Sequence, residues 1–315
     1  MVIVGPDAVA AVAVGGLPRR PGVLVVTARA PDATVWQSGV EAGAEAVLEL
    51  PVGGSQITER LADSLDDRGR TGVTVAVVGG CGGAGASTLV AGLGVAASRA
   101  GVEALVVDGD PLGGGLDLAL GSESVGGDRW PALVGISGRV SAQSLRMALP
   151  MVSPSSRMAA LSLLSWDRGD PQAVPPDAIR EVVAAGERGH DLVIVDLPRW
   201  VDPAGEQVLI KADVTLLVVP AEVRAVAAAG RVAARVRAMA AALEVVVRGP
   251  GPAGLTGAHV AEALQLPLAV EMRSDRRVAS ALDLGYGPWR LRRGPLAQAC
   301  DVVLARQGLV REEVA

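Results

Sequence analysis

Lysine is nearly absent from this chain of 315 residues: Lys211 is the only one, and every other basic side chain is arginine. There is no phenylalanine, and five tryptophans and one tyrosine make up an aromatic content of 2%. That argues against nucleic-acid binding by stacking, which needs a platform of exposed rings. Two cysteines, Cys81 and Cys300, are too few for a disulfide framework or a four-thiolate metal site. The two histidines, His190 and His259, lack metal-ligand spacing. Positive charge is also short, with 29 Lys and Arg against 34 Asp and Glu and a net charge of -5, so no global basic field exists to hold a polyanion. The opening MVIVGPDAVA has neither the basic start nor the cleavage site of a signal peptide. Residues 71–98 are uncharged and imitate a membrane span, but they divide into a strand-like run, a glycine loop and a small-residue helix. The expected location is the cytoplasm.

What is present suits a folded α/β protein. Hydrophobic residues are 50% and charged residues 20% of the chain, and the length suggests about two domains. Before residue 70, apolar runs at Val2–Val4, Val23–Thr27 and Ala46–Leu50 predict buried parallel strands, with helices near Trp36–Ala42 and Gln56–Leu65. Ser64–Gly72 reads as a linker, which sets domains at 1–70 and 71–315. From Val73 onward the runs TVAVVGG, ALVVDGD, DLVIVDLP, DVTLLVVP and LEVVVRGP alternate with helical stretches, which predicts a doubly wound, mostly parallel sheet. The stretch Ser122–Pro176 shows no clear period.

The chemistry gathers at strand ends. In VAVVGGCGGAGASTLVAGLGVAA an apolar strand enters a glycine loop that opens a helix, the context in which backbone N–H groups and a helix N-terminus hold phosphate. Against G-x-x-x-x-G-K-[ST], Gly80, Gly85 and the Mg²⁺-binding hydroxyl of Ser87 fall in place, but Ala86 stands where the lysine belongs. A glycine-rich turn with no ligand fits the same run. Asp108 and Asp110 follow one apolar strand and Asp196 ends another, positions that either hold Mg²⁺ in such a fold or cap the next helix. Cys81 is in a loop beside a helix start, where thiols acidify, but no base stands near it in sequence, so it reads as a small loop residue.

Gly80–Thr88, Asp108–Pro111 and Asp196–Pro198 resemble the three nucleotide motifs of the MinD/ParA family of deviant Walker ATPases. The resemblance covers roughly residues 73–308 and is nearest to the CpaE/TadZ-like branch, through GGCGGAGAST, the DGDP run, RWPAL, VDLPR and VVVRGP. It implies a P-loop fold and an ATP-dependent homodimer. Gly80, Gly82, Gly83, Ala84, Gly85, Ala86, Ser87 and Thr88 would contact ATP, Ser87, Asp108, Asp110 and Asp196 would lie on the Mg²⁺ side, and Asp110 would be the catalytic residue of an active member. The family loop carries two lysines, and here those positions are Cys81 and Ala86. Losing one charge-assisted bond weakens phosphate binding by roughly 10- to 150-fold. The expected function is therefore regulatory, in septum-site determination or in localising Tad-type pilus or secretion machinery through protein partners. The alternatives are an active positioning ATPase and a nucleotide-free scaffold, and Arg199 is a candidate for the missing charge.

VLVVTA and GVEAGAEAVLELP resemble the last two strands of a response-regulator receiver, with Thr27 at the switch hydroxyl and Leu50 at the receiver lysine. Gly5 falls near the phosphoacceptor position, and no acidic pair is found. Either this is a half-receiver or the chain starts late; the reading favours docking or dimerisation over phosphotransfer. Arg224, Arg231 and Arg235 share a helix face that reads as solvated rather than DNA-binding. The stripe Leu296, Cys300, Val303 and Leu304 reads as core packing, because the tail REEVA is acidic and unsuited to a membrane surface.

Overall fold

The computed structural model describes residues 1–15, 20–54, 56–58, 60–61, 71–136, 138–153, 158–170, 172–252 and 254–310. They fall into two compact units, one from Met1–Gly69 with Gly138–Ser144 and one from Arg70–Ser137 with Leu145–Ala315.

The first unit holds three parallel strands, β1 (Val2–Val4), β2 (Val23–Thr27) and β3 (Ala46–Glu49), in the order β1-β2-β3. Val4, Val9, Val23 and Val25 form its core with partly buried Val12 and Val35. The helix expected at Trp36–Ala42 spans Ala33–Glu41, because Asp32 caps it by accepting the Val35 N–H at 2.9 Å. Helix is present at residues 56–58 and 60–61; the remainder of the helix expected at Gln56–Leu65, and the linker up to residue 70, lie outside the described residues.

The second unit is built on β4 (Val73–Gly79), β5 (Ala104–Asp108), β6 (Met151–Val152), β7 (Leu161–Leu164), β8 (Leu192–Leu197), β9 (Val214–Pro220), β10 (Leu243–Gly249) and β11 (Leu268–Arg273). Their order is β11-β10-β9-β4-β8-β5-β7-β6, parallel except for the β6–β7 pair. The fold is thus α/β with a mostly parallel sheet. The central strands are apolar because helices cover both faces. β6 and β7 come from the stretch without a clear period. β7 carries Ser162 in a fully buried run, where its hydroxyl bonds His190 Nε2 at 2.8 Å, so polarity does not mark exposure there.

Small residues set how closely the helix Ala86–Arg99 approaches the sheet on one side and the helix Pro295–Arg306 on the other. A Cβ on Gly94 would stand 2.9 Å from Val106 Cγ2, and one on Gly92 3.0 Å from Cys300 Sγ. The stripe Leu296, Cys300, Val303 and Leu304 packs into this core from the helix Pro295–Arg306, and burial pushes the Cys300 thiol far up, out of reactive range. The tail 311–315 lies outside the described residues. Among the described residues, no helix is long and apolar enough to cross a membrane.

The chain leaves β4 for β5 on one side and runs from β9 to β10 and β11 on the other. The winding therefore reverses beside β4, where ligands bind in doubly wound sheets. Trp130 buttresses this edge. It is fully buried, donates Nε1–H to the Asp108 carbonyl at 2.6 Å, and packs against Trp166 with ring centroids 5.9 Å apart. Trp130→Phe should cost ~1–3 kcal/mol for the orphaned carbonyl and Trp130→Ala ~3–5 kcal/mol, read by urea denaturation. Wild-type stability in Trp130→Phe would show that the bond to Asp108 contributes nothing.

Candidate functional site

Between β4 and the helix Ala86–Arg99 the chain turns through Gly80–Gly85. Gly83 (φ 68°) and Gly85 (φ 101°) take left-handed conformations that other residues adopt only with strain. A Cβ on Gly80 would stand 2.7 Å from Ala229 Cβ, so this position is sterically closed to larger residues, and its N–H donates to Val218 O at 2.9 Å. The backbone at Gly82 and Gly83 faces open space. Among the described residues, the N–H groups of Gly82, Gly83, Gly85, Ala86, Ser87 and Thr88 donate to no protein acceptor. The last three are the unsatisfied donors of a helix start. Ala84 N–H is turned inward, 3.4 Å from Cys81 O.

Sheet register brings the aspartates to this loop. Val77 of β4 pairs with Asp196 of β8, and Asp196 with Asp108 of β5, so both carboxylates stand on neighbouring strands just below the loop. Ser87 stands beside Asp196 and holds its proton affinity down against the effect of burial. Asp108 accepts from Leu116 N at 2.9 Å, Ser165 Oγ at 3.0 Å and Asp110 N at 3.3 Å, holding the following loop in shape. Asp110 accepts from Leu112 N at 3.0 Å. Asp117, buried behind them, pairs with Arg168 at 2.9 Å.

Ser87, Thr88, Asp108 and Asp196 line one cavity of about 680 Å³, within the range of small-molecule sites. Asp110 is not among the lining residues. Among the described residues, no three His, Cys, Asp or Glu side chains group as a ready metal cage. An Mg²⁺ ion, which keeps most of its water, would find the Ser87 hydroxyl and the Asp196 carboxylate as donors here.

No lysine answers the loop's lack of charge. Lys211 Nζ pairs with Glu187 at 2.6 Å, and the same carboxylate accepts from Thr74 Oγ1 at 2.7 Å at the opposite end of β4. Arg199 is exposed and lines neither cavity beside the loop. Arg235 is engaged elsewhere, bonded to Val201 O and Glu206 with its guanidinium 5.0 Å from the Trp200 ring centroid. A guanidinium does approach the loop from Arg248 of β10, whose Nη1 is 3.6 Å from where a Gly85 Cβ would be. Arg248 is not among the site residues expected from the sequence, although it follows an apolar run at a strand's C-terminal end, the same signal that marked the aspartates.

Burial raises Asp108 to about 6 and Asp196 to about 7; Ser87 lowers Asp196, while the neighbouring Asp108 and Asp110 charges raise it further. The unfolded chain loses these protons near pH 4, so the native state is stabilised by holding them, and that stabilisation fades as pH rises through 6 and 7. In a chelator at pH 8, Asp196→Asn should therefore melt several degrees above wild type, at ~2–4 °C per kcal/mol relieved, and the difference should shrink at pH 5. Equal melting of the two proteins at pH 8 would show that Asp196 is not strained by its burial.

A family model for the Rv3660c-like, CheY-like N-terminal domain matches residues 1–72. The chain is 40% identical over 294 residues to the uncharacterized protein Rv3660c of Mycobacterium tuberculosis H37Rv, a match spanning 91% of this chain and 80% of that one. A ParA family ATPase from Chlorobium tepidum superposes on 73% of this chain and 97% of its own, with a TM-score of 0.63 and 18% identity. The septum site-determining protein MinD of Pyrococcus horikoshii, solved with Mg-ADP, superposes on 75% of this chain and 95% of its own, with a TM-score of 0.61 and 21% identity. These two matches give the second unit the MinD/ParA fold. By its similarity to the M. tuberculosis protein, the chain belongs to the Rv3660c-like family, a CheY-like N-terminal domain followed by a MinD/ParA-type α/β unit.

Proposed function

We propose that this chain is a regulatory MinD/ParA-like protein with a degenerate nucleotide site, one that binds Mg-ATP weakly, turns it over slowly or not at all, and acts through protein contacts. We assign it to the CpaE/TadZ-like branch, with a role in septum-site determination or in localising Tad-type pilus or secretion machinery. The observation that carries the reading is a phosphate loop complete in backbone donors but uncharged. Among the described residues, the N–H groups of Gly82, Gly83, Gly85, Ala86, Ser87 and Thr88 are unengaged, Ser87 stands beside the buried Asp196, and Ala86 and Cys81 replace both family lysines. The lone lysine is locked to Glu187 at the far end of the sheet.

In this reading Gly82, Gly83, Gly85, Ala86, Ser87 and Thr88 cradle the phosphates, and Ser87 and Asp196 face the cation. Bound Mg²⁺ supplies the positive charge that offsets the buried carboxylates and the phosphate oxygens. Turnover suffers more than binding, because charge spreads over the terminal phosphoryl oxygens in the transition state and no lysine meets it. The CheY-like unit contributes docking or dimerisation, since Leu50 and Gly5 stand where phosphotransfer needs a lysine and a carboxylate. The retained Ser87, Asp108 and Asp196 set favours a second reading, an active ATPase whose cycle drives dimerisation.

Calorimetric titration of the full chain with Mg-ATP, from micromolar to millimolar, tests this. Saturable binding that Ser87→Ala weakens supports a nucleotide-responsive regulator. No heat up to millimolar ligand overturns it and leaves a nucleotide-free scaffold.

A further inference from the structure

Two cavities flank the phosphate loop and meet at Thr88 and Leu282, which line both. They differ in charge. The larger carries the carboxylates of Asp108, Glu123, Asp196 and Asp283 and no Arg or Lys. The smaller, about 260 Å³, is lined by Gly85, Arg248, Arg273 and Arg276 together with the apolar Met272 and Leu296. Its single acid, Asp275, is already taken: both of its oxygens accept from Arg277, at 2.6–3.1 Å. Arg248 is half-buried, and among the described residues its guanidinium has no hydrogen bond or ion pair. A half-buried cation without a partner, in contact distance of a loop of free N–H groups, is a place prepared for an anion.

The polarity of the site follows from general phosphate-loop geometry. The loop's hydroxyl and the strand-end carboxylates mark the cation side, at the β- and γ-phosphates, and the loop backbone cradles the α- and β-phosphates. The acidic cavity here is the terminal-phosphate end, and the cavity holding Arg248 is the α-phosphate and nucleoside end.

We propose that Arg248 supplies, from the end of β10, the cation that the loop lacks, and that it does so at the α- and β-phosphates, so that the site is selective for a nucleoside diphosphate rather than a triphosphate. A third phosphate enters a cavity lined by four carboxylates and by no arginine or lysine, so it meets more protein repulsion there than the first two phosphates do. Met272 and Leu296 give the nucleoside an apolar wall. This inference rests on the nucleotide reading above and goes beyond it in naming the ligand class and the residue that selects it.

The test is calorimetry of the full chain with Mg-ADP and, separately, Mg-ATP. Mg-ADP should bind at least as tightly as Mg-ATP. Arg248→Ala should weaken Mg-ADP by ~10- to 150-fold, the range for one charge-assisted bond. Arg248→Lys should recover part of that loss. Arg231→Ala, the same charge change on an exposed helix position, should leave the affinity unaltered. Thermal melting of Arg248→Ala and Arg248→Gln, which keeps the side-chain stem, separates a lost contact from a lost fold. The inference fails if Arg248→Ala binds within about twofold of wild type while Ser87→Ala does not, or if Arg199→Ala produces the loss instead. It also fails if Mg-ATP binds tighter than Mg-ADP. Absence of any binding by the wild-type chain overturns this inference together with the reading on which it rests.

Discussion

The register that pairs Val77 of β4 with Asp196 of β8, and Asp196 with Asp108 of β5, puts a glycine loop and two buried carboxylates side by side at one edge of the sheet. Parallel strands make this unavoidable, because every strand then ends at the same edge and each loop that follows opens there. Strand spacing of ~4.8 Å sets the distance between neighbouring side chains without any contribution from the loops. The loops are shaped afterwards. Leu116 N–H and Ser165 Oγ close on Asp108 from one side, and Trp130 holds its carbonyl from another.

Burial strips both carboxylates of hydration, the charge of Asp110 adds to this at each and that of Asp108 adds at Asp196, which is why both hold their protons to unusually high pH. Here the only lysine is about a strand's length away, where Glu187 joins it to Thr74. What remains at the edge is the partial positive charge of a helix start, a row of free N–H groups, and a guanidinium approaching from β10. The site is therefore polarised, acidic on the side of the strand-end aspartates and basic on the side of β10 and β11.

Much of this was legible in the sequence because parallel strands advertise themselves. Runs such as VAVV, LVIV and TLLVV have no polar alternation, and the short glycine loop after the first of them leaves little choice of conformation. Ala86 and Cys81 announced the missing charge outright. The strands Met151–Val152 and Leu161–Leu164 were not legible: the first has two residues, and the second buries a serine whose partner, His190, is 28 residues away. Arg248 was equally hidden. Its run VVVRGP names a strand end, but nothing local says that β10 lies two places from β4 with its last side chain turned toward Gly85.

By itself the sequence determined the α/β class, the loop and its two neutral positions, and the identity of the strand-end acids, since these depend on residues close together in the chain. Only the tertiary structure decided that Asp108 spends its oxygens on the residues that follow and on Ser165, that Asp110 does not line the cavity, that Lys211 is committed elsewhere, and that Arg248 reaches the loop. Those outcomes depend on which strands become neighbours, a matter of long-range packing and crossover direction that no local pattern encodes.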